Sequence, residues 1–238
     1  MEKNVSLRTA SGLFILVLLT TCIIGATFAK YTTSDDATDT ARVAKWGVMV
    51  TLSGDGAFAE AYSTDGAVND DNNNAISNSV VSNEKVVAPG TSGTLVNAII
   101  SGAPEVAVKV KTEATLNLTD WTANGNEYCP IVITIDGDQY KMGASKGTTE
   151  VNGKHIYTYY TIADFITGVE TALEKEENVA PGVNLADEYD HAVGWVWDFN
   201  GETTDGAYRT DEKDTALGDL NSAPAIGFTY TATVTQID

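Results

Sequence analysis

The stretch "VAVKVK", Val106–Lys111, decides how this chain folds. Val106, Val108 and Val110 alternate with Ala107, Lys109 and Lys111, a period of two with β-branched residues on one side and lysines on the other. Such a strand lies half-buried in an antiparallel sheet, one face on a core and one in water. The same period recurs outward from it. Ile131–Ile135 reads as a strand closed by Asp136-Gly137-Asp138 as a hairpin turn, and His155–Tyr160 can pair with the Tyr140 region. Val193, Trp195, Trp197 and Phe199 share one face of "VGWVWDF", and Ile226, Phe228, Tyr230, Ala232 and Val234 alternate with Gly227 and threonines in a final strand. Towards the N-terminus, Leu95–Ile100 follows the Pro-Gly turn of "VVAPGTSG". Ala44, Trp46, Val48, Val50 and Leu52 also recur every second residue, which predicts a strand with one face on the core.

One helix interrupts the strands. Ile162, Phe165, Ile166, Val169 and Leu173 form an apolar stripe, Thr161 can cap it with Asp164 three residues on, and "NVAPG" ends it, so the helix is expected over about 161–177. Residues 53–83, with "NDDNNNAISNS" at their centre, read as a long exposed loop with a short strand. The expectation is an all-β chain, an antiparallel β-sandwich with an accessory helix, in a single domain over 44–238 preceded by a flexible arm over 30–43.

The 238 residues carry 14 Lys plus Arg against 33 Asp plus Glu, a net charge of -19. A surface this anionic repels nucleic acid and anionic lipid. Cys22 and Cys129 are the two cysteines. Cys22 lies in the apolar run near the N-terminus, so one thiol belongs to the folded part and an internal disulfide is excluded.

That apolar run, 12–28, follows Lys3 and Arg8 and ends in Thr27-Phe28-Ala29. A basic head, an apolar middle and a small-x-small exit describe a secretory signal peptide, cut between Ala29 and Lys30. A retained membrane anchor and lipidation at Cys22 compete with that reading. The run is slightly short for a permanent span and carries Thr20, Thr21 and Gly25, while Thr21 stands where a lipobox needs Ala or Gly. Loss of residues 1–29 leaves 12 basic and 32 acidic groups, a net of -20.

"GATFAKYTTSDDATDTARVAKWGV" resembles the export signal and domain start of the TasA and camelysin family of Gram-positive bacteria. "VGWVWDFNGE", the "DEKDTALGD" turn and the terminal "ATVTQID" look like the tail of the same family's matrix proteins, whereas the middle matches only in layout. The resemblance implies a jelly-roll sandwich with added helices, export through a SipW-type signal peptidase, and a place in the extracellular biofilm matrix or cell surface. It also implies that fibres form when a subunit's freed N-terminal segment completes a neighbour's sheet. Here that role falls on Lys30–Leu52, with Tyr31, Val43, Trp46, Val48, Val50 and Leu52 as the apolar residues of the exchanged segment. The partners implied are other copies of the chain and further matrix or cell-wall components.

Residues able to carry chemistry are few. Camelysin is regarded as a metallopeptidase, yet this chain has two histidines, His155 and His191, and no His-Glu-x-x-His. Glu188 and His191 are three apart but precede a predicted strand, where that spacing does not converge on a metal. Cys129, before Pro130, reads as a buried, inert thiol. Calcium is the more serious cofactor: Asp205, Asp211, Asp214 and Asp219 crowd one acidic turn as candidate ligands, although the spacing matches no EF-hand. Trp46, Trp195 and Trp197 can stack on sugars, but their alternation in apolar strands favours the core. The expectation is a non-enzymatic, self-associating surface protein, with a calcium-stabilised monomeric adhesin and a metallopeptidase as alternatives.

Overall fold

The computed structural model describes residues 10–16, 41–54, 56–63, 80–186, 188–197 and 208–237. Two compact units partition the chain, Met1–Val43 and Ala44–Asp238. In the first, residues 10–16 are helical (α1). The second contains fourteen strands and two helices among its described residues. In chain order these are β1 (Met49–Ser53), β2 (Ala59–Tyr62), β3 (Val80–Val86), β4 (Ser92–Ser101), β5 (Val108–Thr119), β6 (Thr122–Ala123), β7 (Asn126–Glu127), β8 (Ile131–Ile135), β9 (Asp138–Met142), β10 (Gly147–Val151), β11 (Lys154–Tyr159), α2 (Ile162–Leu173), β12 (Lys175–Val179), β13 (His191–Trp197), α3 (Asp211–Gly218) and β14 (Ala225–Gln236). The all-β class with accessory helices is therefore what the alternating patterns led one to expect.

A seven-stranded sheet in the order β1-β4-β13-β8-β9-β11-β10 contributes one layer and a three-stranded sheet, β12-β5-β14, contributes the other. Their inward rows meet in one core. Val96 and Ala98 of β4, Val193, Trp195 and Trp197 of β13, and Ile131, Ile133 and Ile135 of β8 pack with Leu116 of β5 and the half-buried Ile226, Phe228 and Tyr230 of β14. A second cluster joins Ile100 to Val108, Val110, Val179, Leu185 and Tyr189. The opening stretch is thus the central strand of the smaller sheet, with Val108 and Val110 fully buried and the lysines facing out. Lys109 pairs with Glu176 across β12 at 2.7 Å, an exposed pair that adds little stability.

The turn Asp136-Gly137 does close β8 onto β9, with both residues at positive φ, 51° and 92°, as a two-residue hairpin requires. Tyr157 faces Tyr140, but β11 runs parallel to β9, a departure from the expected antiparallel pattern. The intervening β10 makes this possible by forming its own hairpin with β11 on the outer edge. Thr161 caps α2 by accepting the Asp164 backbone N–H at 3.1 Å, and Phe165, Val169 and Leu173 are buried along its stripe. The helix stops at Leu173, four residues earlier than its expected end. Lys175–Val179 is instead the edge strand β12, because pairing with Lys109–Thr112 satisfies its backbone better than another helical turn would. The expected acidic turn after Thr210 is the helix α3.

Candidate assembly site at the N-terminal strand

The strand expected over 44–52 is shorter and lies elsewhere in the layer than its pattern suggested. Only Met49–Ser53 pairs, and it pairs on one side alone, with β4: Val50 faces Ile100 and Leu52 faces Ala98. Directly opposed residues of an antiparallel pair share a sheet face, so Val50 and Leu52 point the same way as the buried Ile100 and Ala98. They are nevertheless 38% and 43% exposed, and Trp46 is 42% exposed. Val48, half-buried, packs against the second core cluster. The expectation that this row faces the core is corrected. β1 is the outermost strand of its sheet, with β4 as its one partner among the described strands.

What fastens this segment is backbone, not side-chain burial. Glu105 N–H donates to the Lys45 carbonyl at 3.0 Å, and Lys45 N–H donates to the Glu105 carboxylate at 2.8 Å. Between them Gly47, at φ +61°, crosses Gly102, at φ +111°. A Cβ on Gly102 would overlap the Gly47 carbonyl oxygen, so this crossing needs glycine. Just after β1, a cavity of about 200 Å³ is lined by Gly54, Ala57, Phe58, Lys85, Leu95 and Phe228. Its wall is held by Trp195, whose indole N–H donates to the Ala57 carbonyl at 2.8 Å while Phe58 and Tyr62 pack on the ring. Val43 belongs to the first unit and is exposed. Thr27, Ala29, Lys30 and Tyr31 lie outside the described residues.

The other candidate residues are dispersed. Asp211 and Asp219 sit at opposite ends of α3, about 12 Å apart along the axis of an eight-residue helix. Asp214 is occupied by protein donors, Tyr128 Oη at 2.5 Å and Trp197 Nε1 at 3.3 Å, and Asp205 lies outside the described residues. Burial, followed by the hydrogen bond to Asp214, pushes the Tyr128 phenol far above its ordinary range. Among the described residues no group of three His, Cys, Asp or Glu side chains is placed to hold a metal ion. Glu188 and His191 do not converge either: Glu188 pairs with Lys175 at 2.6 Å and His191 with Asp136 at 2.7 Å. Cys129 is fully buried, and burial pushes its thiol up to about 12. Trp195 and Trp197 are in the core, where the alternation put them, and Trp46 is not.

Both histidines instead meet the β8–β9 turn, which sequence spacing did not reveal because the pairs are 55 and 17 residues apart. Asp136 accepts from His191 Nδ1 and from the Ala192 N–H at 2.8 Å, while Asp138 accepts the His155 backbone N–H at 2.9 Å. The Asp136 carboxylate therefore ties the turn to the start of β13. Asp136→Ala is expected to cost about 2 kcal/mol, roughly half for the partly exposed hydrogen bonds and half for alanine at φ +51°, read as a lower urea midpoint at unchanged slope. Asp136→Asn, which retains an acceptor oxygen, should recover about half of that loss.

No family model, curated protein or solved structure matches this chain. No described helix is long and apolar enough to cross a membrane.

Proposed function

We propose that this chain is an exported structural protein of a bacterial cell surface or biofilm matrix, non-enzymatic, which assembles into fibres by exchanging its N-terminal strand. The observation that carries this reading is β1. It is the first described strand of its unit, it pairs with one neighbour among the described strands, and all five of its residues are exposed, while the β4 residues it covers include the fully buried Ile100. Such a strand loses little when it leaves, and the sheet it leaves gains as much from an identical strand of another copy. The resemblance of both chain ends to the TasA and camelysin family supports the same reading, together with its jelly-roll assignment, its Gram-positive source and its SipW-type processing after Ala29. Cleavage there would free residues 30–43 to reach a neighbouring copy. The other partners would be matrix or cell-wall components, and no cofactor is required for the exchange.

Deleting residues 30–41 removes the reach and leaves the described strands intact. The processed chain should form fibres visible by electron microscopy, and the deletion should abolish them at an unchanged melting temperature. Fibres of normal length from the deleted chain would refute the exchange.

A further inference from the structure

We infer that the free edge of β14 is a lateral contact through which two copies of this chain pair about a two-fold axis. On one side β14 pairs with β5 without a break along twelve residues, from Ala225↔Thr119 to Gln236↔Val108. On its other side no described strand is paired with it. Long free edges are ordinarily blunted by lysines, prolines, bulges or shortness. β14 has none of these, and Ala225–Gln236 contains no Asp, Glu, Lys or Arg in a chain of net charge -19. The neighbouring edge β12 contrasts with it, carrying Lys175, Glu176 and Glu177 within five residues.

The side chains point to the same partner. Phe228, Tyr230, Ala232 and Val234 face inward yet remain half-buried, and no described strand flanks them beyond the edge. Thr229, Thr231 and Thr233 are exposed on the outer face. If two copies of β14 run antiparallel about Thr231, Phe228 of one lies opposite Val234 of the other, Tyr230 opposite Ala232, and Thr229 opposite Thr233. From Phe228 to Val234 apolar meets apolar and threonine meets threonine, so the centre of the strand is complementary to itself. Repulsion between two anionic molecules is smallest where they meet through an uncharged edge. The N-terminal arm is the poorer occupant, since residues 30–41 carry Asp35, Asp36 and Asp39. Joined in this way, the two three-stranded sheets become one of six strands. This contact does not depend on β1 exchange, and a filament using both would consist of two strands side by side.

The test uses the chain purified after export from cells expressing the whole sequence, with Cys22→Ser and the buried Cys129 left in place. A residue on the two-fold axis meets its own copy, so Thr231→Cys should give a disulfide-linked dimer under mild oxidation, whereas Thr148→Cys on the exposed β10 should not. Thr231→Lys combined with Thr233→Lys should halve the mass measured by light scattering while leaving the melting temperature unchanged. Equal cross-linking of Thr231→Cys and Thr148→Cys, or an unchanged mass for the lysine variant, overturns the contact. Deleting residues 30–41 separates the two assemblies: the Thr231→Cys cross-link should survive even where fibres are lost. A cross-link that appears only once the arm is deleted would identify the arm as the occupant, and one that vanishes with the arm would show that it depends on the fibre; either result overturns the two-fold pairing.

Discussion

Gly102→Ala is expected to detach the N-terminal strand from the seven-stranded sheet and to lower stability further than Gly125→Ala, a methyl addition at a second glycine of positive φ. Two costs fall on the same atom. The residue sits at φ +111°, where a side chain brings strain of roughly 1–3 kcal/mol. The new Cβ would also overlap the Gly47 carbonyl oxygen, and because that is backbone, no rotamer change relieves it. The chain must open the Gly47–Gly102 crossing, which takes with it the Lys45–Glu105 hydrogen bonds on one side and the β1–β4 pairing on the other. Gly125→Ala separates the two costs, since Gly125 lies at φ +78° with nothing within 4 Å of its Cβ. It should show the strain alone.

Hydrogen exchange reads the outcome directly. In the Gly102→Ala chain the amides of Met49–Ser53 and their β4 partners should lose protection while those of β5 and β14 keep it. The urea midpoint should fall further than in Gly125→Ala. Equal losses in the two variants would mean that the crossing is slack. The variant bears on assembly as well, because a strand arriving from another copy must make the same crossing. Fibre formation should therefore fail even though the arm is intact.

Much of this architecture can be read from local pattern. The valines of β5, the alternation of β14 and the Trp195–Trp197 pair of β13 are half-buried or buried strands whose period of two is set by the strand itself. The Asp-Gly turn and the Thr161 cap are equally local. What pattern cannot convey is where a strand stands in its layer. Ala44–Leu52 alternates as well as β5 does, yet Trp46, Val50 and Leu52 are exposed on a segment that ends in the outermost strand of its sheet. β12 was obscured for the converse reason: a charged, helix-favouring segment is strand because β5 offers a partner. The helix α3 did leave a signal, in Thr210 followed by Asp211, Glu212 and Asp214, an N-cap with acidic residues in the first turn. Its weak amphipathic pattern concealed it. The convergence of His155 and His191 on one turn left no trace in the sequence, because both contacts are made by strands brought together only in the sheet.

Trp195→Ala should cost about 3–5 kcal/mol, the range for removing a large buried aromatic side chain. The indole is 2% exposed, opposes Ile133 of β8 and Gly93 of β4, and packs against Phe58 and Tyr62. The absence of a side chain at Gly93 is what lets it lie flat, since a Cβ there would come within 2.7 Å of the indole nitrogen. Trp195→Phe should keep most of the packing and forfeit the hydrogen bond to the Ala57 carbonyl, at about 1 kcal/mol. The larger loss should be visible as a melting temperature lowered by several degrees, and limited proteolysis should then cut first within residues 56–63. That site of cleavage is the informative part. The indole is the link between the core and the segment immediately following β1, so removing it should loosen the β2–β3 hairpin before the sheets separate. Cleavage that begins elsewhere, or a Trp195→Phe variant as unstable as Trp195→Ala, would show that the hairpin is held by contacts other than this ring.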